Sequence, residues 1–228
     1  MSSNAVNGFG YFGKVPARGD FIQSHLPSDF VASWSEWLQA VIAVSREQQG
    51  ERWLDCYLTS PIWHFALSAG VCGESAIAGT LMPSVDQVGR HFYFTMAKPI
   101  NQVPVDVWQQ REWSELSEEK VLKLLDDDTD VVRWAESVAE LDWLDGIKAA
   151  NPLLNHAKQS EQLVLQSEQA ISAEHLLHQQ LRKRLDRYCI WWTNGSELVP
   201  ECSLVSESLP LVSQFSAMLD GQWEQWGW

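Results

Sequence analysis

Long apolar runs are missing from this 228-residue sequence, and none approaches the roughly 18 residues that a membrane-spanning helix requires. The opening residues MSSNAVNGFGYFG also lack the basic stretch and apolar run of a secretory leader. A soluble, cytoplasmic protein without membrane insertion is therefore expected. Positive charge is scarce: sixteen Lys and Arg stand against thirty Asp and Glu, a net of −14. A phosphate backbone or an anionic bilayer would repel such a chain, so nucleic acid is not expected as a partner. Cysteine is sparse and scattered. Cys56, Cys72, Cys189 and Cys202 form no CxxC pair, and all four are expected to be reduced and buried. Metal-ligand spacing is lacking too. His175 and His178 stand three apart on a helical stretch, but a zinc site needs further ligands and no HExxH accompanies them. Asp126, Asp128 and Asp130 match the first three ligand positions of an EF-hand loop, yet Val131 replaces its glycine and Ser137 its final glutamate. A turn and a helix cap explain these aspartates, and no metal or cofactor is expected.

Tryptophan is abundant, with thirteen residues against four Tyr and eight Phe. An indole combines a large apolar face with one N–H donor, which suits a core with wet edges or a contact surface. Hydrophobic residues make up 45% and charged residues 20%, ordinary globular values. The charge is uneven: residues 112–145 carry three basic against twelve acidic side chains, while the flanking segments are nearly neutral. The chain thus reads as residues 1–111 and residues 112–228, the latter an acidic helical segment followed by an α/β part, sharing an interface in one compact unit.

The fold class expected is α/β of the α+β type, an antiparallel sheet flanked by helices. FGYFGKVP reads as an aromatic strand stopped at Pro16. Ser28 reads as an N-cap, and Phe30, Trp34, Trp37, Leu38 and Val41 recur at helical spacing up to Gly50. IWHFALSA alternates as a half-buried strand, AIAGTLM returns beside it, and HFYFTMA places Phe92, Phe94 and Met96 on one face. Ser117 is expected to cap a helix with Val121, Leu122 and Leu125 as its buried stripe. Asp130 or Thr129 caps another, carrying Trp134, Val138 and Leu141 up to Gly146. A strand at Leu163–Leu165, a helix from about Ser172 ending in Arg182, Lys183, Arg184 and Arg187, the strand YCIWWT and an apolar element at Leu211–Leu219 complete the chain.

Several short motifs carry no chemistry in this context. Gly8, Gly10 and Gly13 spell GxGxxG, but too little chain precedes them for the required strand and Pro16 follows. Arg18-Gly19-Asp20 and the sequon Asn194-Gly195-Ser196 have meaning only outside the cell. Ser117-x-x-Lys120 resembles an acylating pair without its companion motifs. Two loops remain. One is Pro16-Ala17-Arg18-Gly19-Asp20-Phe21, and the other runs from Met82 to Arg90. Each offers one Arg and one Asp, so Arg18 with Asp86 and Asp20 with Arg90 would staple the loops, while the same cluster would also suit recognition of a partner.

The ordered motifs GYFGKVPARGDF, SDFVASWSEWLQ, YLTSPIWHFAL and GTLMPSVDQVGRHF resemble the TagF family, also called ImpM, of bacterial type VI secretion. WWT at 191–193 and SLPLVSQF near Leu209 look like its C-terminal part, whereas the acidic middle and the tail beyond Leu219 have no clear family pattern. The resemblance implies a longin- or profilin-like sheet with helices. It also implies a cytoplasmic, non-enzymatic negative regulator acting after translation, through a component such as the forkhead-associated scaffold protein Fha. Onto this chain it places Arg18, Asp20, Phe21, Ser60, Pro61, Pro83, Ser84, Asp86, Gly89 and Arg90 as motif positions, candidates for partner binding or for the loop staple, with no catalytic role. A structural subunit of the apparatus, or a hydrolase built around Ser84, Asp86 and His91, are the alternatives.

Overall fold

The computed structural model describes residues 8–147, 154–155, 165–166 and 170–228. In chain order the elements are β1 (Gly10–Gly13), β2 (Ile22–Ser24), α1 (Ser28–Gln49), α2 (Trp53–Leu58), β3 (Trp63–Leu67), β4 (Ala76–Met82), β5 (Phe94–Ile100), α3 (Pro104–Gln109), α4 (Glu112–Leu122) and α5 (Val131–Ala139). They are followed by β6 (Leu154–Asn155), β7 (Leu165–Gln166), α6 (Ala173–Leu185), β8 (Cys189–Thr193), β9 (Cys202–Ser206) and α7 (Ala217–Asp220). Seven strands form one antiparallel sheet in the order β2-β1-β5-β4-β3-β8-β9. β6 and β7 pair separately. Of the strand expected at Leu163–Leu165, Leu165 lies in β7 and Leu163 falls outside the described residues.

Helices cover both faces of the sheet. On one, α1 buries Phe30, Trp34, Trp37, Leu38 and Val41 against Trp63, Phe65 and Leu67 of β3 and Trp191 of β8. The indole donors there are satisfied locally, Trp34 Nε1 by Thr95 Oγ1 at 2.8 Å and Trp37 Nε1 by the Pro210 carbonyl at 2.9 Å. On the other face, α3, α4 and α5 cover Ala66, Ala78, Met82, Phe94, Met96, Ile190 and Trp192. β3 is therefore buried on both sides and not half-buried as its alternation implied; the polar-looking phase holds His64 and Ala66, which face a second core. Eight of the thirteen tryptophans are buried, so most of them make core. In the centre of the sheet, Gly79 of β4 lets Ala97 of β5 approach so closely that a Cβ at 79 would lie 2.5 Å from the alanine's own Cβ.

Several local expectations are corrected. α1 has Pro27 as its N-cap, with no side-chain cap, and Asp29 instead reaches across to the Glu74 N–H at 2.7 Å. Phe92 precedes β5 and packs with the α1-side core, because the strand's alternation begins only at Phe94. Ser117 lies inside α4 and is buried, while Leu122 and Leu125 are exposed; the stripe is Trp113, Ser114, Ser117, Val121 and Leu124, which places two hydroxyls at an interface expected to be apolar. α5 stops at Ala139, short of Gly146. Asp130 does cap it, accepting from the N–H groups of Val132 and Arg133. Ser172 caps α6 with His175 in a reciprocal box. All four cysteines are free thiols; three are buried and Cys202 is half-buried. Burial pushes the thiols of Cys72 and Cys189 up to about 12, so both stay protonated at neutral pH.

Candidate functional site

The two charged loops meet at one end of β1. Gly13 carries φ +144°, and a Cβ there would lie 2.3 Å from the Tyr93 carbonyl oxygen, so glycine alone permits this approach to β5. Lys14 and Val15 follow, both buried, and Pro16 turns the chain across the surface. After β4, residues 83–91 fold back towards β5, closed by an isolated bridge between Val85 and His91. Within that turn the Asp86 N–H donates to the Arg90 carbonyl at 3.0 Å and the Gly89 N–H to the Asp86 carbonyl at 2.9 Å.

Asp86 is the centre of this turn. Its Oδ2 accepts from Lys14 Nζ at 2.8 Å and from Arg90 Nε at 2.6 Å, and its Oδ1 accepts the backbone N–H groups of Val88 at 3.1 Å and Arg90 at 2.9 Å. Four donors thus satisfy a carboxylate with no exposed side-chain surface. Burial pushes this carboxyl up, but Lys14 and the bonds from Arg90 outweigh it and hold the group well below the usual carboxylate range. Arg90 Nη2 also donates to the Gly19 carbonyl at 2.5 Å, and the Gln87 N–H donates to the Arg18 carbonyl at 3.0 Å. The second loop therefore grips the backbone of the first.

The expected pairs, Arg18 with Asp86 and Asp20 with Arg90, do not form. Lys14 at the end of β1 and Arg90 in the same turn reach the carboxylate first, and its burial leaves Arg18 no approach. The Arg18 side chain is exposed and donates only to the neighbouring Ala17 carbonyl at 3.3 Å; Asp20 is exposed and makes no ion pair among the described residues. Phe21 lies between these two arrangements. It is 46% exposed, yet its ring contacts Phe12 at 5.6 Å and Phe92 at 4.8 Å, with Lys14 Nζ 5.0 Å above it.

A third motif anchors the second loop from below. Tyr57 Oη donates to the Ser84 carbonyl at 2.8 Å and accepts the Ser84 N–H at 3.0 Å, while Ser60 Oγ donates to the Tyr57 carbonyl at 2.8 Å and Pro61 is buried. Pro83 is half-buried at the loop's start and Gly89, with φ +81°, is exposed at its tip. Ser84 Oγ is buried with no hydrogen-bond partner. The His91 ring meets Trp53 and Tyr57 edge-on, each at 5.4 Å, and burial together with the Arg46 charge pushes its pKa down.

Sequence reasoning missed Lys14, Tyr57 and a second polar cluster. His64 on β3 is fully buried between Trp113 and Trp192; its Nδ1 meets Thr80 Oγ1 at 2.9 Å and its Nε2 meets Glu118 Oε2 at 3.4 Å. Thr80 Oγ1 in turn meets Ser117 Oγ at 2.5 Å. Burial pushes the His64 pKa down, only partly countered by Glu118, so the ring is neutral at pH 7. The signal for Lys14 was its place as a lone cation between apolar neighbours, Gly13 and Val15, which a surface lysine would not need.

Residues 10–141 match the model of the TagF N-terminal domain, described as type VI secretion system-associated. The chain belongs to the TagF family. The match contains both charged loops, and it runs on through α4 and α5, so the acidic segment up to residue 141 does follow the family pattern. A solved crystal structure, PA0076 from Pseudomonas aeruginosa PAO1, is similar at 30% identity and a TM-score of 0.77, covering 94% of each chain. None of the curated proteins matches. As a TagF-family member the protein is type VI secretion-associated, and among the described residues no helix is long and apolar enough to cross a membrane.

Proposed function

We propose that this chain is a cytoplasmic, non-enzymatic negative regulator of type VI secretion, acting after translation by binding a component of the apparatus such as the forkhead-associated scaffold. The observation that carries this reading is the division of labour between the two loops. The charges of Asp86, Lys14 and Arg90 are spent on one another and on backbone, whereas Arg18, Asp20 and much of Phe21 remain turned outward on a backbone held fixed from behind. A rigid loop with outward charged and aromatic side chains is a binding surface whose ordering cost is met before the partner arrives. Turnover chemistry would need a nucleophile, base and orienting group in hydrogen-bond reach. Ser84 Oγ has no such base, because the His91 ring is packed against Trp53 and Tyr57.

The test is secretion measured in three strains: wild type, deletion and overexpression. Repression predicts that overexpression silences secretion and that deletion raises it. Secretion that collapses on deletion makes the protein a structural subunit instead. Hydrolytic turnover by the purified protein that is lost with Ser84→Ala makes it an enzyme.

A further inference from the structure

Among the described residues the sheet ends at β2. β2 pairs with β1 through Tyr11 with Ser24, Phe12 with Gln23 and Gly13 with Ile22, and no described strand lies on its other side. Exposed strand edges present a row of backbone donors and acceptors to any extended chain. Two cavities flank this edge. One, of about 360 Å³, is lined by Tyr11, Arg18, Ile22, Val131, Val132 and Ala135; the other, of about 350 Å³, is lined by Gln23, Leu26, Ser28 and Val31. Of the β2 residues, Ile22 lines the first cavity, and Gln23 and Ser24 line the second. His25 borders both cavities and holds φ +58°, a left-handed conformation uncommon for a residue other than glycine.

We propose that β2 is a strand-addition site, which takes an extended segment of a partner protein as the eighth strand of the sheet. The segment places an apolar side chain among Ile22, Val131, Val132 and Ala135 and an acidic side chain on Arg18. Each half of this description rests on an unpaired group. Val132 is 59% exposed although valine and isoleucine surround it, and the Arg18 guanidinium makes no ion pair among the described residues in a chain of net charge −14. A planar guanidinium with free donors pairs best with a carboxylate, which it binds through two parallel hydrogen bonds. Glu136, the carboxylate of the same cavity, is exposed and makes no ion pair among the described residues, and it sets a cost against a segment acidic throughout. In this mode backbone bonds supply affinity and alternating pockets supply specificity. At the other end of the sheet one face of β9 is already occupied, since Ser203 Oγ accepts from Trp108 at 3.1 Å and from Arg111 at 3.5 Å.

This inference deepens the regulatory reading, since it says how a secretion component would be held, and it is tested by a readout separate from secretion. The full chain carrying the photo-reactive residue p-benzoylphenylalanine at position 23 is expressed in its own bacterium, irradiated, and the products are mapped by mass spectrometry; position 203 serves as control. The expected result is a crosslink from position 23 to one contiguous segment of a type VI secretion protein containing an acidic residue. Arg18→Glu and Val132→Asp, both exposed positions, should lower its yield at least tenfold with the melting temperature unchanged. The proposal is overturned if position 23 gives no crosslink, if it links only to a second copy of this chain or to the chain's own residues, or if both variants leave the yield intact. Should the crosslink stand while overexpression leaves secretion unchanged, the regulatory reading fails and the strand site survives.

Discussion

The loop at 16–21 and the loop at 83–91 have similar composition and opposite fates. In the second, Asp86 turns inward and is consumed by Arg90 of its own turn and by Lys14, the residue that follows β1. In the first, the charged residues contribute backbone alone: the carbonyls of Arg18 and Gly19 accept from Gln87 and Arg90, and the side chains of Arg18 and Asp20 face water. Identical residue types thus do fold-making work in one loop and surface work in the other. The deciding factor is burial of a single carboxylate. Once Asp86 has no solvent, it must take the nearest cations, and those come from the strand beside it and from its own turn.

Substitutions should separate the two loops, and the core beneath them sets the scale. Trp37→Ala removes a ring packed against Trp34, Trp191 and Phe215, and chemical denaturation should record a loss of about 3–5 kcal/mol. Asp86→Asn leaves Lys14 buried without its counter-charge, and a loss of about 2–4 kcal/mol is expected in the same assay. A carboxyl whose pKa lies lower in the folded than in the unfolded state contributes stability in full above the unfolded value of about 4, and that contribution is lost as pH falls towards the folded value. Acidification from pH 5 to pH 3 should therefore destabilise the wild type more than Asp86→Asn, with every other carboxylate common to both. Arg90→Ala removes a side chain that is 59% exposed, so its loss should stay near 1 kcal/mol. Arg18→Ala should change stability by less than about 0.5 kcal/mol. A cost for Arg18→Ala as large as that for Asp86→Asn would erase the distinction between the loops.

The two faces of the sheet explain what was legible in the sequence. On the α1 side the residues that face the sheet are apolar and aromatic, so helical spacing of Phe30, Trp34, Trp37 and Val41 identified the buried stripe directly. On the α4 side the interface is partly polar. Ser117, Thr80 and His64 bond to one another across it, and a reading that equates buried with apolar assigned Ser117 to a cap and moved the stripe to Leu122 and Leu125. The edge strands β2 and β9 were invisible for a related reason: among the described residues each pairs on one side, and each carries little apolar alternation. The candidate site was legible as two loops and not as a set of bonds. Sequence names the charged residues, but which cation reaches a buried carboxylate depends on the strand that ends beneath it, and Lys14 was hidden in an apolar run.

A first loop that binds and a second that holds it in place are separated most directly by secretion from cells overexpressing Arg18→Glu, with the variant's unfolding midpoint determined beside the wild type. The account predicts an unchanged midpoint and a loss of the repression that the overexpressed wild type exerts. Full repression by a folded Arg18→Glu protein, or a midpoint lowered as far as that of Asp86→Asn, would contradict it.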